Sequence, residues 1–224
     1  MGSDIQDALL RTLTKVASAL RPTGIRFALT GGCAVYARGG PETEHDVDIL
    51  IKEADTEVAV KALVEYGMRA DDPPEEWLTK VFDGDRLVDL IFCANERPVD
   101  DELLDTAEDL RVGATTIPVQ RATEVLAGKL LALGPHRCDL TVLLPIARAL
   151  REQIECPRLR EMTDHWPYAA AFVLLCDRLA ITDAFVQEGT TIHDPTPVPG
   201  GTLANHAGGG SANGRAGLAS DSAR

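Results

Sequence analysis

The 224-residue sequence predicts a mixed α/β fold, and three observations carry that expectation. Apolar runs of strand length occupy residues 26–29, 47–51 and 86–92, bounded by glycine, proline or acidic turn residues. Apolar residues recur at helical spacing over residues 4–20 and 55–66, before and between those runs. From Ala122 onward the pattern is helical alone, so a small helical C-terminal subdomain is expected behind a mixed sheet flanked by helices.

The elements follow in order. Ile5, Leu9, Val16 and Leu20, with Ala8, Leu13 and Ala17, make one face of a first helix, which Arg21-Pro22-Thr23-Gly24 ends. Residues 26–29 form the first strand, 33–38 a short helix, and Gly39-Gly40-Pro41 a break. Val58, Ala62, Leu63 and Tyr66 share a face of the helix over 55–66, with Gly67 as its cap. Residues 71–76 are an acidic, solvated loop. Residues 78–82 and 86–92, joined by Asp83-Gly84-Asp85, form a hairpin. A further short hairpin or a sheet edge is expected over residues 111–119 around Gly113. Later helices are expected over 122–133, over 139–154 with Pro145 kinking or restarting it, and over 168–179 with Pro167 in the first turn. Beyond Asp194 the chain is rich in Pro, Gly, Ala, Ser and Asn, the composition of a disordered tail.

The chemistry concentrates in Thr30-Gly31-Gly32-Cys33-Ala34 and His45-Asp46-Val47-Asp48-Ile49-Leu50-Ile51. Residues two apart on a strand point to one face, so Asp46 and Asp48 project together while Val47, Ile49 and Ile51 enter the core. Side-by-side carboxylates repel unless a cation lies between them, which predicts a divalent metal site. Paired glycines at a strand-to-helix turn let backbone N–H groups approach a phosphate. A third carboxylate, Asp89, sits inside the apolar run Leu87-Val88-Asp89-Leu90-Ile91, where a lone charge is costly unless paired or metal-bound. Asp83-Gly84-Asp85 repeats the D-x-D spacing but reads as a turn.

A Gly-Gly turn, D-x-D and a third Asp on a neighbouring strand resemble the polymerase-β-like nucleotidyltransferases, over about residues 25–155. Within that superfamily, the segment Glu124–Leu133 with Lys129, followed by Arg137-Cys138-Asp139-Leu140, is similar to the AbiEii/MenT-like toxins of toxin–antitoxin and phage-defence systems. His45 before D-x-D is also similar to the lincosamide and aminoglycoside nucleotidyltransferases. The resemblance implies two Mg²⁺ ions held by Asp46, Asp48 and Asp89, and NTP phosphates held by Gly31, Gly32 and Lys129. It implies Asp139 as a supporting acid. The departures from the toxin pattern are Glu44, Cys33, Cys138 and Val142. The domain division that follows is a catalytic domain at 1–120, a helical subdomain at 121–190 and a tail at 191–224.

Composition narrows the setting. A net charge of −13 weighs against a broad nucleic-acid surface. Five cysteines without framework spacing predict a reducing, cytoplasmic setting, with Cys33, Cys93 and Cys176 as small core residues. No secretory leader and no membrane-spanning run is read. Arg148, Arg151, Arg158 and Arg160 alternate with Glu152, Glu155 and Glu161, the pattern of a salt-bridged helix face. The function expected first is toxin-like transfer of an NMP to a tRNA 3′ end or a protein hydroxyl, with an antitoxin protein as partner. The alternatives are a small hydroxylated acceptor of the aminoglycoside or lincosamide kind, favoured by the acidic balance, and a non-catalytic nucleotide-binding regulator.

Overall fold

The computed structural model describes residues 2–43, 46–71 and 75–181. Glu44, His45, the centre of the acidic loop and everything from residue 182 lie outside the described residues. Helix α1 (Gly2–Leu20) leads into strand β1 (Phe27–Leu29), helix α2 (Gly31–Ala37), strand β2 (Val47–Ile51) and helix α3 (Thr56–Glu65). Strands β3 (Arg69–Asp71), β4 (Leu78–Asp83) and β5 (Arg86–Ile91) follow, then a small hairpin of β6 (Cys93–Ala94) and β7 (Arg97–Pro98). Helix α4 (Asp101–Asp105) precedes β8 (Glu108–Val112) and β9 (Thr115–Val119). Helices α5 (Ala122–Leu131), α6 (Leu144–Leu150), α7 (Cys156–Thr163) and α8 (Pro167–Arg178) complete the described chain.

Seven strands make one mixed sheet in the order β3-β4-β5-β2-β1-β9-β8. The central strands are apolar because both of their faces are covered. Val47, Ile49 and Ile51 of β2 enter the main core with Leu9, Leu13 and Val16 of α1. Leu50 and Ala28 face the other way, against Val99 and Leu104. This two-sided burial fixes register, because slipping one residue would drive Asp48 into the main core.

Helix α5 packs against α2, α7 and α8, and Ala122 to Ala127 are all buried. One of its inward groups is charged. Glu124 has a side chain 2% exposed and accepts from Arg158 Nε on α7 at 2.9 Å. Thr123 Oγ1 accepts the Glu155 N–H at 2.9 Å, and Trp166 Nε1 donates to the Leu133 carbonyl at 2.8 Å. These bonds fix the helical layer against the helix that carries Lys129.

Several expectations change. The single helix over 139–154 is a 3₁₀ turn at Leu140–Val142, then α6, then another 3₁₀ turn at Arg151–Gln153. Asp139 causes the first break by capping, and Pro145 restarts the chain at the first turn of α6. Helix α7 was not foreseen; its Cys156-Pro157 start follows the same rule. Of the four arginines, Arg151 pairs with Glu152, whereas Arg158 and Arg160 reach Glu124 and Asp177 on other helices. No described helix is long and apolar enough to cross a membrane.

Replacing Arg158 with Leu leaves Glu124 buried without its cation. We expect a loss of about 2 kcal/mol in urea unfolding, below the full buried-pair figure because Arg158 is partly solvated. A loss under about 0.5 kcal/mol, the scale of a neutral surface change, would show that the pair does not hold α5 to α7.

Candidate active site

Strands β2 and β5 run parallel, and in their register Asp48 stands opposite Asp89. Antiparallel pairing of β4 with β5 then sets Lys80 opposite Asp89 on its other side. Asp46 lies one residue before β2 rather than within it, so the D-x-D pair straddles the strand end. Its carbonyl accepts a long bond from Cys33 Sγ at 3.6 Å. Its position also lines a cavity of about 520 Å³ beside Arg11, Lys15 and Arg86.

The Gly-Gly turn is built around Asp48. Thr30 N–H donates to the Asp48 carbonyl at 2.9 Å, and α2 starts at Gly31 rather than at Cys33. Gly31 has φ +63°, and a Cβ there would overlap Asp48 Oδ2, so both backbone and space demand glycine. A Cβ on Gly32 would stand 2.5 Å from Thr43 Oγ1. The Gly32 N–H donates to the Asp48 carboxylate. In this arrangement the turn holds a carboxylate directly, in addition to any phosphate it is expected to face.

Electrostatics mark the same residues. Burial, with Asp89 and Asp46 beside it, raises the Asp48 pKa to about 7 against the opposing pull of Lys129 and the Gly32 N–H. Burial likewise raises Asp89 to about 6, aided by Asp46 and Glu75 and opposed by Lys80. Burial lowers the Lys129 pKa against the pull of Asp48, and Arg137 adds to the lowering. Burial beside Asp48 and Asp46 pushes the Cys33 thiol up to about 12, so it is a neutral core residue rather than a nucleophile. Cys176 is buried in the same way, whereas Cys93 is only half-buried.

Asp139 is elsewhere in its bonding. It is exposed, and its Oδ1 accepts from Thr141 N–H at 2.9 Å and Thr141 Oγ1 at 2.5 Å. Those bonds lower its pKa, and among its described contacts is no site carboxylate. His45 falls outside the described residues. Two functional neighbours escaped the sequence reading. Lys80 pairs with Glu75 at 2.8 Å, and Glu75 Oε2 is buried without a partner among the described residues. The signal for Lys80 was present: the tight Gly84-Asp85 turn pairs Asp83 with Arg86, and counting back places Lys80 against Asp89.

Among the described residues, no three His, Cys, Asp or Glu side chains stand close enough together to cage a metal ion. The expected three-carboxylate set is therefore a facing pair, Asp48 and Asp89, with Asp46 at the strand end. Oδ1 of Asp89 is buried with no hydrogen-bond partner among the described residues. An orphaned carboxylate oxygen within an all-oxygen donor set fits a hard divalent cation.

The carboxyl shifts give a stability signature. In the metal-free protein, Asp48 and Asp89 bind protons more tightly folded than unfolded, so folding gains stability as pH falls from about 7 towards the ordinary carboxylate range. Thermal unfolding in a chelator should therefore show a higher Tm near pH 5.5 than at pH 8, with the difference shrinking in Asp48→Asn. An equal or higher Tm at pH 8 in the wild-type protein would contradict the buried-pair electrostatics.

Residues 12–96 match the family described as aminoglycoside-2″-adenylyltransferase, a stretch holding the Gly-Gly turn and all three carboxylates. Among solved structures, the crystal structure of ANT(2″)-Ia in complex with adenylyl-2″-tobramycin is similar at 16% identity and TM-score 0.54, over 73% of this chain and 95% of that one. The solution structure of ANT(2″)-Ia is similar at 16% identity and TM-score 0.49, over 78% and 95%. The lincosamide antibiotic adenylyltransferase LnuA, lincomycin-bound, is similar at 14% identity and TM-score 0.45, over 68% and 97%. No curated protein sequence matches the chain. The mixed sheet flanked by helices is the polymerase-β-like nucleotidyltransferase fold, and with the family match over residues 12–96 the chain is a nucleotidyltransferase.

Proposed function

We propose that the protein transfers an NMP, with AMP from ATP as the leading case, to a hydroxyl of a small amine-bearing antibiotic of the aminoglycoside or lincosamide kind. The observation that carries this reading is the family match, which spans Gly31, Gly32, Asp46, Asp48 and Asp89 together. The acidic balance of the chain agrees, because cationic acceptors are drawn to an acidic cleft. The toxin-like reading, with a tRNA or protein acceptor and an antitoxin partner, rests on the Lys129 and Asp139 segments. Only Lys129 enters the field of the carboxylates, while Asp139 caps a local turn. The small-molecule acceptor is therefore preferred.

Asp46, Asp48 and Asp89 would hold Mg²⁺, two ions by the needs of this chemistry. When bound, Mg²⁺ supplies charge neutralisation for the NTP phosphates and the leaving pyrophosphate. The chain's own groups do the rest. Asp89 accepts the hydrogen bond of the attacking hydroxyl and takes its proton. Lys129, partly buried near Asp48, offers its ammonium to the phosphates. The Gly31-Gly32 turn keeps Asp48 in place and lets phosphate oxygens approach the backbone.

Each α-³²P-labelled NTP with Mg²⁺ should be incubated with tobramycin, with lincomycin and with total tRNA. Label is expected on an antibiotic, with Asp46→Asn and Asp48→Asn each lowering the rate about 10²-fold or more. Losses under about threefold in both variants would sink the site assignment. Label on tRNA alone would restore the toxin-like acceptor. Nucleotide binding without label in any lane would point to a regulator.

A further inference from the structure

Both ends of α2 are tied to one buried residue that no catalytic role uses. Gln120, 7% exposed, follows β9 and stands just before α5. Its N–H donates to the Leu29 carbonyl at 2.9 Å, continuing the β1–β9 pairing. Its Oε1 accepts from the Thr30 hydroxyl at 2.5 Å, at the start of α2. Its carbonyl accepts from Arg38 Nε at 2.6 Å, at the end of α2. Arg38 has a side chain 5% exposed and is held in turn by the Val119 carbonyl at 3.1 Å and Glu108 at 3.0 Å. Gln153 Nε2 donates to the Arg38 carbonyl at 2.8 Å.

Thr30 occupies the N-cap of α2, yet its side chain makes no cap bond. A threonine there ordinarily turns its oxygen towards the helix N–H groups. Here the hydroxyl is spent on Gln120, while the Thr30 backbone bonds Asp48. We infer that Gln120 is a positioning residue. Through Thr30 it fixes the Gly31-Gly32 turn and the Asp48 carboxylate relative to α5, the helix that carries Lys129. The inference rests on the transferase reading for its catalytic consequence, but the tether itself is independent of that reading.

The chemistry needs this rigidity. Asp48 on β2 and Lys129 on α5 are linked in part through β1, β9 and α2, and a displacement of about 1 Å can cost up to 10²-fold in rate. Four variants of the full chain separate positioning from folding. Gln120→Leu and Thr30→Val delete the acceptor and the donor; Gln120→Glu and Thr30→Ser keep them. We expect Gln120→Leu and Thr30→Val each to lower kcat about tenfold, with nucleotide KM within about threefold. Gln120→Glu and Thr30→Ser should stay within about threefold of wild type, and the Leu/Val double variant should be no slower than the slower single.

Hydrogen exchange at the Ala34 amide, which donates to the Thr30 carbonyl at 3.1 Å, gives a readout apart from activity. It should quicken in Gln120→Leu and Thr30→Val while exchange in α8 stays unchanged. Unchanged kcat and unchanged Ala34 exchange in both deletions overturn the inference. So do equal losses in the conservative variants. If the wild-type protein labels no acceptor, the transferase reading falls, and faster Ala34 exchange still supports the tether. Should Gln120→Leu fail to fold, Thr30→Val against Thr30→Ser decides alone.

Discussion

Parallel pairing of β2 with β5 is the constraint on which the site depends, because it sets Asp48 opposite Asp89 inside a sheet buried on both faces. Like charges at neighbouring positions are unfavourable in a partly desolvated setting. The surrounding sheet tolerates them for two reasons. Ile49 and Ile51 anchor β2 in the main core, so the strand cannot slip to relieve the repulsion. Donors then converge on the pair from separate elements: the Gly32 N–H and Lys129 on Asp48, and Lys80 on Asp89.

Those donors arrive by long-range paths. Lys129 depends on α5, and α5 depends on the β9 end and on the Glu124–Arg158 and Thr123–Glu155 bonds to the helical layer. Lys80 depends on the hairpin turn, whose Asp83 carboxylate accepts from Thr12 at 2.7 Å and Lys15 at 2.6 Å on α1. The first helix thus steadies the strand pair through its hairpin turn. A chain with a net charge of −13 spends these few cations where its carboxylates crowd.

Much of this was legible in sequence, for identifiable reasons. The Gly-Gly turn, the D-x-D pair and the hairpin are set by local rules of period and turn chemistry, and they appear within a residue or two of expectation. The adjacency of β5 and β2 was not legible, since the crossover of a parallel pair leaves no local mark. Arg38 and Gln120 were missed for the same reason: their partners are 70 to 115 residues distant, and an isolated Arg or Gln on an element end looks like surface. In the 139–154 segment the restart at Pro145 was legible, whereas the Asp139 cap acts through hydrogen bonds that periodicity does not register.

The two ammonium groups are not equivalent, and the difference bears on how the site works. Lys80 is held by Glu75, which raises its pKa and keeps it charged beside Asp89. Lys129 makes no ion pair within 4 Å among the described residues, and burial lowers its pKa. A cation already paired is poorly disposed to exchange its carboxylate for a phosphate, because breaking the pair cancels much of the gain. A desolvated, unpaired ammonium has no such cost and gains most from an arriving anion. Lys80 therefore balances the carboxylates at rest, and on the proposed transferase reading Lys129 is the cation that meets the charge a substrate brings.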